Sequence, residues 1–345
     1  MKAVVLKGPN DFVATTTADP KIGEGEVLLE VKSCAICGTD IRILEGKKTK
    51  GVRYPSIIGH EIAGVIIETR GDTGEVRKGD RVCLCPVIPC HSCRFCLEGK
   101  ENICLNRTAI GYEYDGGFAE MLRIPAVAVK SGHLFALPEN MSFEEGSLIE
   151  PLSCCLNGIR KAGVGLADVC LIVGAGPIGL MHIQIARNAG ATKIIVSEPN
   201  AMRREQASRF GADIVVDPST ENLAEAVRSN TDGLGVDRLI MAIGVAPIIN
   251  ELLKLVRKGG TMNLFAGFPD TGATTIDTNI IHYNEIVVNG TSASTRLDYR
   301  HARDLAAGGM VNLKDLVSHR FKLDDFREAY DLAKSGAGIK IVVTP

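Results

Sequence analysis

The sequence predicts an α/β protein in which a doubly wound parallel sheet is joined to a smaller β-rich domain. Three observations carry this. At 345 residues the chain suits two domains of about 150 residues better than one. Beyond residue 168 strand-like apolar runs alternate with amphipathic segments, a rhythm that implies right-handed crossovers and a parallel sheet. The first 150 residues instead alternate short β-branched runs with Gly, Pro and Asp turns, and few segments have helix-length periodicity.

Taken in order, KAVVL, EVLLEVKS, HEIAGVIIET, DRVCL and AEMLRIP read as strands of the first region. Near Asn140 the pattern changes, and MSFEEGSLIEPLSCCLNGIRKAG has helical periodicity. Strands are then expected at 169–174, 193–198, 213–217, 236–243 and 260–266, with helices at 177–189, 200–210, 221–230 and 246–257. Gly190, Gly211, Gly235, Gly259 and Gly260 punctuate them, and a last strand at 286–292 extends the sheet. The C-terminal stretch returns to the earlier style, with LVSHRFKL, a helix near 324–334 and a closing strand IKIVV. It is expected to pack back on the first domain, so residues 1–150 with 294–345 form one domain and 151–293 the other.

Composition narrows the function. Thirty-nine Lys and Arg against 41 Asp and Glu leave a net charge of -2, with no block of like charge. Neither a nucleic-acid partner nor a membrane surface has electrostatic support. No apolar run approaches the roughly 18 residues that span a bilayer, and MKAVVLKGPNDF lacks a secretory signal. A cytoplasmic protein is expected. In that setting eleven cysteines point to metal ligation rather than disulfides. Cys170, alone in an apolar run, reads as inert core.

Gly174-Ala-Gly176-Pro177-Ile178-Gly179 is a dinucleotide fingerprint. The motif alone is weak. Here it follows the apolar run VCLIV, opens a helix, and is followed by Glu198 at the end of the next strand, nineteen residues beyond Gly179. The first glycine makes the tight turn, the second lets backbone approach a pyrophosphate, and the third lets helix pack on strand. Helix N–H groups then hold the phosphates. The bland alternative, a glycine-rich turn without a ligand, leaves Glu198 unexplained. A carboxylate there accepts the adenosine ribose hydroxyls and repels a 2′-phosphate, which selects NAD. Arg203 and Arg204 are the basic residues close by; as a solvated helix face they are equally compatible with NAD.

Cys90, Cys93, Cys96 and Cys104 place four thiols within fifteen residues. Four sulfurs with no open position suit a closed tetrahedral zinc site. The iron–sulfur alternative wants three residues before a fourth cysteine followed by proline. Here seven intervene and Leu105 follows. A third constellation is dispersed: Cys37 in AICGTDIR, His60 and Glu61 in IIGHEIAG, and Glu150 in LIEPLS. Singly these read as core cysteine, solvated edge and helix-start carboxylate. Jointly they offer sulfur, imidazole and carboxylate with room for one exchangeable ligand, as a catalytic zinc requires.

In their order CGTD, GHEIAG, GDRV, the four-cysteine loop, GGFAE, EPLS and GAGPIG resemble the zinc-dependent medium-chain alcohol dehydrogenases, most of all the sorbitol (polyol) and threonine dehydrogenase branch. The likeness covers essentially the whole chain. It implies a GroES-like first domain, a Rossmann second domain, and two zincs per chain, one structural on the four cysteines and one catalytic on Cys37 and His60. Glu61 and Glu150 match glutamates that ligate the catalytic metal or hold its water. Thr39 matches the hydroxyl that bonds the substrate oxygen and starts the proton relay, and Arg203 a basic residue that contacts the NAD ribose. The resemblance implies interconversion of a secondary alcohol (a polyol, sugar alcohol or its phosphate) and a ketone. The alternatives are a threonine-type 3-hydroxy-amino-acid dehydrogenase or a catalytically silent dinucleotide-binding relative. It also implies a homodimer or homotetramer, such relatives often being joined through the edge strand, here 286–292.

Two positions depart from that pattern. The next relay member is usually an imidazole where this chain has Arg42, and a guanidinium stays protonated and cannot act as a base. Either water or the cofactor ribose completes the relay, or Arg42 binds an anionic substrate group, or it is a surface arginine. The segment GTSAST at 290–295 lacks the arginine and aromatic that sorbitol dehydrogenases present to their polyol, which argues against sorbitol itself.

Overall fold

Strands of the N-terminal region pair because their apolar side chains alternate with polar ones or run continuously where both faces are covered. Val27–Ala35 lies in the middle of the sheet and is buried at both ends, with Glu30 and Lys32 half-buried in its centre. The hydrogen-bonded order is Leu134–Ala136, Arg81–Leu84, Glu61–Thr69, Val27–Ala35, Lys340–Val343 and Val317–Phe321, with Met121–Ile124 also on Val27–Ala35. The chain's last strand therefore sits beside its third, with Val342 opposite Ala35 and Val343 opposite Cys34. Leu29, Ile62, Ile66, Leu84, Phe118 and Phe326 fill the core beneath. A smaller sheet of Asp11–Thr16, Lys2–Gly8 and Ser56–Ile57 adjoins it. This computed structural model describes residues 1–268 and 274–345. They divide into one unit of Met1–Ser153 with Ala293–Pro345 and another of Cys154–Ser292.

The second unit is a six-stranded sheet, wholly parallel, in the order Ile214–Val216, Lys193–Ser197, Val169–Val173, Val236–Met241, Val256–Leu264 and Val287–Gly290. The strand order reverses beside Val169–Val173, the strand feeding the glycine motif, and ligands of such sheets bind at that reversal. Helices Pro177–Asn188, Ala201–Arg209 and Leu223–Ser229 lie within the segments expected.

One expectation fails locally. The segment 246–257 is not one helix: a short 3₁₀ turn and the helix Ile249–Leu253 end early, and the strand begins at Val256. Val256 pairs with Val236, then a bulge skips to Arg238 opposite Thr261, with Gly259 at φ +69 taking the turn. The β-branched side chain of Val256 is buried in the sheet's core, and that outweighs the helical periodicity. No helix among the described residues is long and apolar enough to cross a membrane.

Candidate metal and cofactor sites

The four-cysteine loop has little regular structure of its own: a single turn Arg94–Leu97 begun by Cys93, then a 3₁₀ turn Glu101–Ile103. Its four sulfurs lie within 4.8 Å of one another. Cys93 and Cys96 are 3.5 Å apart and Cys93 and Cys104 3.8 Å. Tetrahedral zinc–sulfur bonds put sulfurs about 3.8 Å apart, so the donors fit that metal, and such separations are far too long for disulfides. Backbone N–H groups of Cys90 and Asn106 donate to the Cys104 sulfur. The Ser92 amide and hydroxyl and the Cys93 amide pull the Cys90 thiol down to about 5, whereas burial pushes Cys96 up to about 12. Arg296 anchors the loop to the rest of its unit. Its guanidinium grips both Glu101 oxygens, at 3.1 and 2.5 Å, and donates to the Ser131 carbonyl.

The second donor set forms at the ends of two strands and one helix. Cys37 caps the helix Gly38–Leu44, and its sulfur accepts the Thr39 N–H at 3.5 Å. Asp40 returns the cap, its Oδ2 accepting the Cys37 N–H at 2.9 Å. The other Asp40 oxygen meets His60 Nδ1 at 3.1 Å, which leaves Nε2 as the nitrogen available to a metal. Asp40 is completely buried. Burial acts to lower the His60 imidazole, but Tyr112, Asp40 and Cys37 outweigh it and raise it well above its usual range. A cation bound by Nε2 takes the place of that proton.

Glu61 starts the strand beside His60 and is fully buried. Lys340, equally buried, donates to Glu61 Oε1 at 2.7 Å and to the Ile36 carbonyl at 3.1 Å. Its nitrogen is also 2.5 Å from Oε2, but off the hydrogen-bond direction, so Oε2 has charge compensation without a hydrogen bond. Burial pushes the Glu61 carboxyl up, Lys340 pulls it down and Glu150 pushes again, leaving it near 7. Cys37, His60 and Glu61 present their donor atoms within 4.8 Å of one another. Sulfur, imidazole and an Oε2 without a hydrogen bond are a donor set that fits zinc with an open position. Glu150 is buried in the first turn of Ile149–Ala162 and acts on Glu61 by charge; it is not one of the three clustered donors. Thr39 is half-buried in the same helix turn as Cys37. Arg42 is exposed in that helix's last turn, where it also complements the helix dipole.

Asp40 and Lys340 escape sequence reasoning. Asp40 carries a signal, the capping-box spacing from Cys37. Lys340 offers only a lone cation inside the apolar run IKIVV, 279 residues from its partner.

In the glycine loop each glycine has a different physical reason. Gly174 has φ +99, and a Cβ there would meet Ile243 at 2.5 Å. A Cβ on Gly179 would fall 1.9 Å from the Gly174 carbonyl oxygen, so helix and strand approach only because it is absent. Gly176 faces open space whose first atom is Arg203 Nη1 at 3.9 Å, a cradle that fits a pyrophosphate. Pro177 occupies the first helical turn, where its missing N–H is not needed, and Ile178 follows in that turn, its carbonyl accepting from the Cys155 thiol. Glu198 is buried, its oxygens accepting N–H groups of Ala175 at 2.8 Å and Asn200 at 2.9 Å. A carboxylate has about four acceptor sites, so capacity for hydroxyl donors remains. Arg204 is committed elsewhere, to the Glu198 and Pro199 carbonyls and to Asp217 at 3.0 Å.

A dinucleotide fold and an open Cys/His/Glu donor set on one chain are the equipment of a metal-dependent oxidoreductase. Residues 23–134 match the alcohol dehydrogenase GroES-like domain and residues 177–308 the zinc-binding dehydrogenase domain. The chain is 33% identical over 348 residues to D-arabitol-phosphate dehydrogenase of Enterococcus avium, covering 99% of this chain and 97% of that one. It is 34% identical to L-threonine 3-dehydrogenase of Thermococcus kodakarensis, covering 100% and 98%. A crystal structure described as a zinc-binding dehydrogenase of Sinorhizobium meliloti 1021 bound to NADP superposes with a TM-score of 0.93 at 32% identity, over 100% of this chain and 99% of that one. The chain belongs to the zinc-dependent medium-chain alcohol dehydrogenase family, in its polyol and threonine branch, and is an oxidoreductase of that type.

Proposed function

We propose that the protein interconverts a secondary alcohol of a polyol, sugar alcohol or sugar-alcohol phosphate and the corresponding ketone, with NAD as the preferred cofactor. The observation that carries the reading is the convergence of Cys37, His60 and Glu61, with Asp40 and Lys340 fixing two of the three from behind. In this reading residues 1–150 with 294–345 are the catalytic domain and 151–293 the cofactor domain. Cys37 and His60 hold the catalytic zinc with Glu61 or Glu150, and Cys90, Cys93, Cys96 and Cys104 hold the structural one.

Zinc, when bound, supplies Lewis-acid chemistry that brings an alcohol's pKa toward neutrality, and NAD accepts the hydride. The chain's own residues do the rest. Asp40 fixes the His60 ring, so the imidazole donor needs no reorientation during turnover. The Thr39 hydroxyl accepts the substrate's proton and passes it outward. Arg42 cannot be the base that follows it; a water or the cofactor ribose takes that place. Glu198 and Arg203 hold the adenosine ribose, and the commitment of Arg204 to Asp217 leaves a 2′-phosphate without that cation.

Among the described residues the strand Val287–Gly290 is the outermost of the parallel sheet and has one unpaired edge, and Val287 and Tyr283 are exposed beside it. We assign the homodimer or homotetramer contact to this edge. A second reading, a threonine-type 3-hydroxy-amino-acid dehydrogenase, draws on the relatives of that activity.

A panel of neutral polyols, their phosphates and L-threonine, run with NAD and NADP, separates these readings. A polyol or its phosphate should be oxidised, with NAD favoured by about two decades in kcat/KM, and Glu198→Ser should narrow that gap by improving NADP use. Each decade corresponds to about 1.4 kcal/mol of transition-state binding. Turnover of threonine alone would establish the second reading, and equal use of both cofactors would refute the role given to Glu198.

A further inference from the structure

Lys48 occupies an electrostatic position that the metal chemistry does not explain. The turn after Gly38–Leu44 brings it back on itself: the N–H groups of Lys47 and Lys48 both donate to the Arg42 carbonyl. The Lys48 ammonium lies over the ring of Tyr112, 4.3 Å from its centroid. A second neighbour of that ring is His60, 5.4 Å away between centroids. At most about 10 Å therefore separates the ammonium from the imidazole of the metal cluster. Lys48 is half-buried, and Arg107, Arg42 and Lys50 stand close enough to repel it.

Compensation is scarce. Among the described residues no carboxylate lies within 4.0 Å of the charged end of Lys48, Arg42, Lys50 or Arg107. The acid that acts on Lys48 is Glu113, whose Oε2 accepts the Ala109 N–H at 2.9 Å. Among the described residues the Lys48 ammonium donates only to the Lys50 carbonyl, at 3.2 Å. Three cations close enough to act on Lys48, against Glu113 as the acid acting on it, favour an anion beside it. Lys48 and His60 both pack against Tyr112, and none of the cations belongs to the donor set Cys37, His60 and Glu61.

We propose that Lys48, with Arg42 and Arg107 beside it, is the specificity residue for a phosphate group at the end of a hydroxylated substrate whose carbinol lies at the Cys37/His60 cluster. A phosphate monoester carries about -1.5 to -2 charges near pH 7 and three acceptor oxygens, which matches this excess of donors better than a single carboxylate does. A neutral polyol leaves the cations unpaired. This proposal rests on the polyol reading given above.

The test compares wild type, Lys48→Met and Lys48→Arg, all zinc-loaded and matched in melting temperature, on D-arabitol, D-arabitol phosphate and L-threonine. Lys48→Met should raise KM for the phosphate ester by about tenfold to a hundredfold more than for the neutral polyol, the loss of one charge-assisted hydrogen bond. Lys48→Arg should restore most of it. Calorimetry with inorganic phosphate reads the site without turnover, and Lys48→Met should weaken binding at least tenfold. Equal effects on ester and neutral polyol would overturn the proposal, as would a loss confined to threonine, which would make the anion a carboxylate. Unchanged phosphate binding would overturn it too. Absence of turnover on every substrate with phosphate binding still dependent on Lys48 would instead refute the polyol reading and leave the anion site standing.

Discussion

Lys340 is the residue on which the buried chemistry of the metal cluster most depends for charge balance. Both it and Glu61 are out of solvent, and each is the other's main compensation. Removing one partner of such a pair costs about 3–5 kcal/mol, because the survivor is left charged and buried. Lys340→Met should therefore lower unfolding stability of the zinc-free protein by that order, measured by denaturant titration. Lys340→Met combined with Glu61→Gln should recover much of the loss. A single variant within 1 kcal/mol of wild type would show that the pair is not the compensation described. At this scale Cys37, His60 and Glu61 are legible because their chemistry sits in short local strings. Asp40 is half-legible through its cap spacing, and Lys340 is not, since sheet pairing across the whole chain brings it to Glu61.

Among elements, the helix Pro177–Asn188 carries an unusual feature behind the glycine loop. His182 lies on its inner face, fully buried, with neither ring nitrogen hydrogen-bonded and Phe265 packed edge-on at 4.6 Å. Burial alone holds its pKa down to about 3. Between about pH 6.5 and 3 the imidazole is protonated in the unfolded chain and neutral in the folded one, so unfolding takes up a proton and stability falls as pH falls. His182→Leu should flatten the acid side of the melting-temperature profile in that interval while leaving the value near pH 8 little changed. An unaltered profile would place the acid sensitivity elsewhere, His133 being the other buried imidazole held low, at about 4. Most elements of the parallel sheet are legible from strand–helix alternation and turn glycines. The stretch 246–257 is not, because its helical periodicity and the strand preference of Val256 compete and only the sheet decides.

At the scale of the whole molecule, two donor sets of different character share one unit. One is closed, sulfur-only and fed by backbone N–H groups; the other is mixed and open, with His60 and Glu61 buried and Cys37 half-buried. The sequence spacing distinguishes them because a closed structural site is local, whereas an open catalytic site draws its donors from separate elements. The most direct test of the account is zinc content per chain, measured beside NAD-dependent polyol oxidation in wild type, Cys37→Ala and Cys93→Ala. Wild type should hold close to two zincs. Cys37→Ala should hold one, keep its fold and lose turnover, whereas Cys93→Ala should lose stability or assembly before it loses the chemistry at the other site. Near-normal turnover by Cys37→Ala would contradict the account.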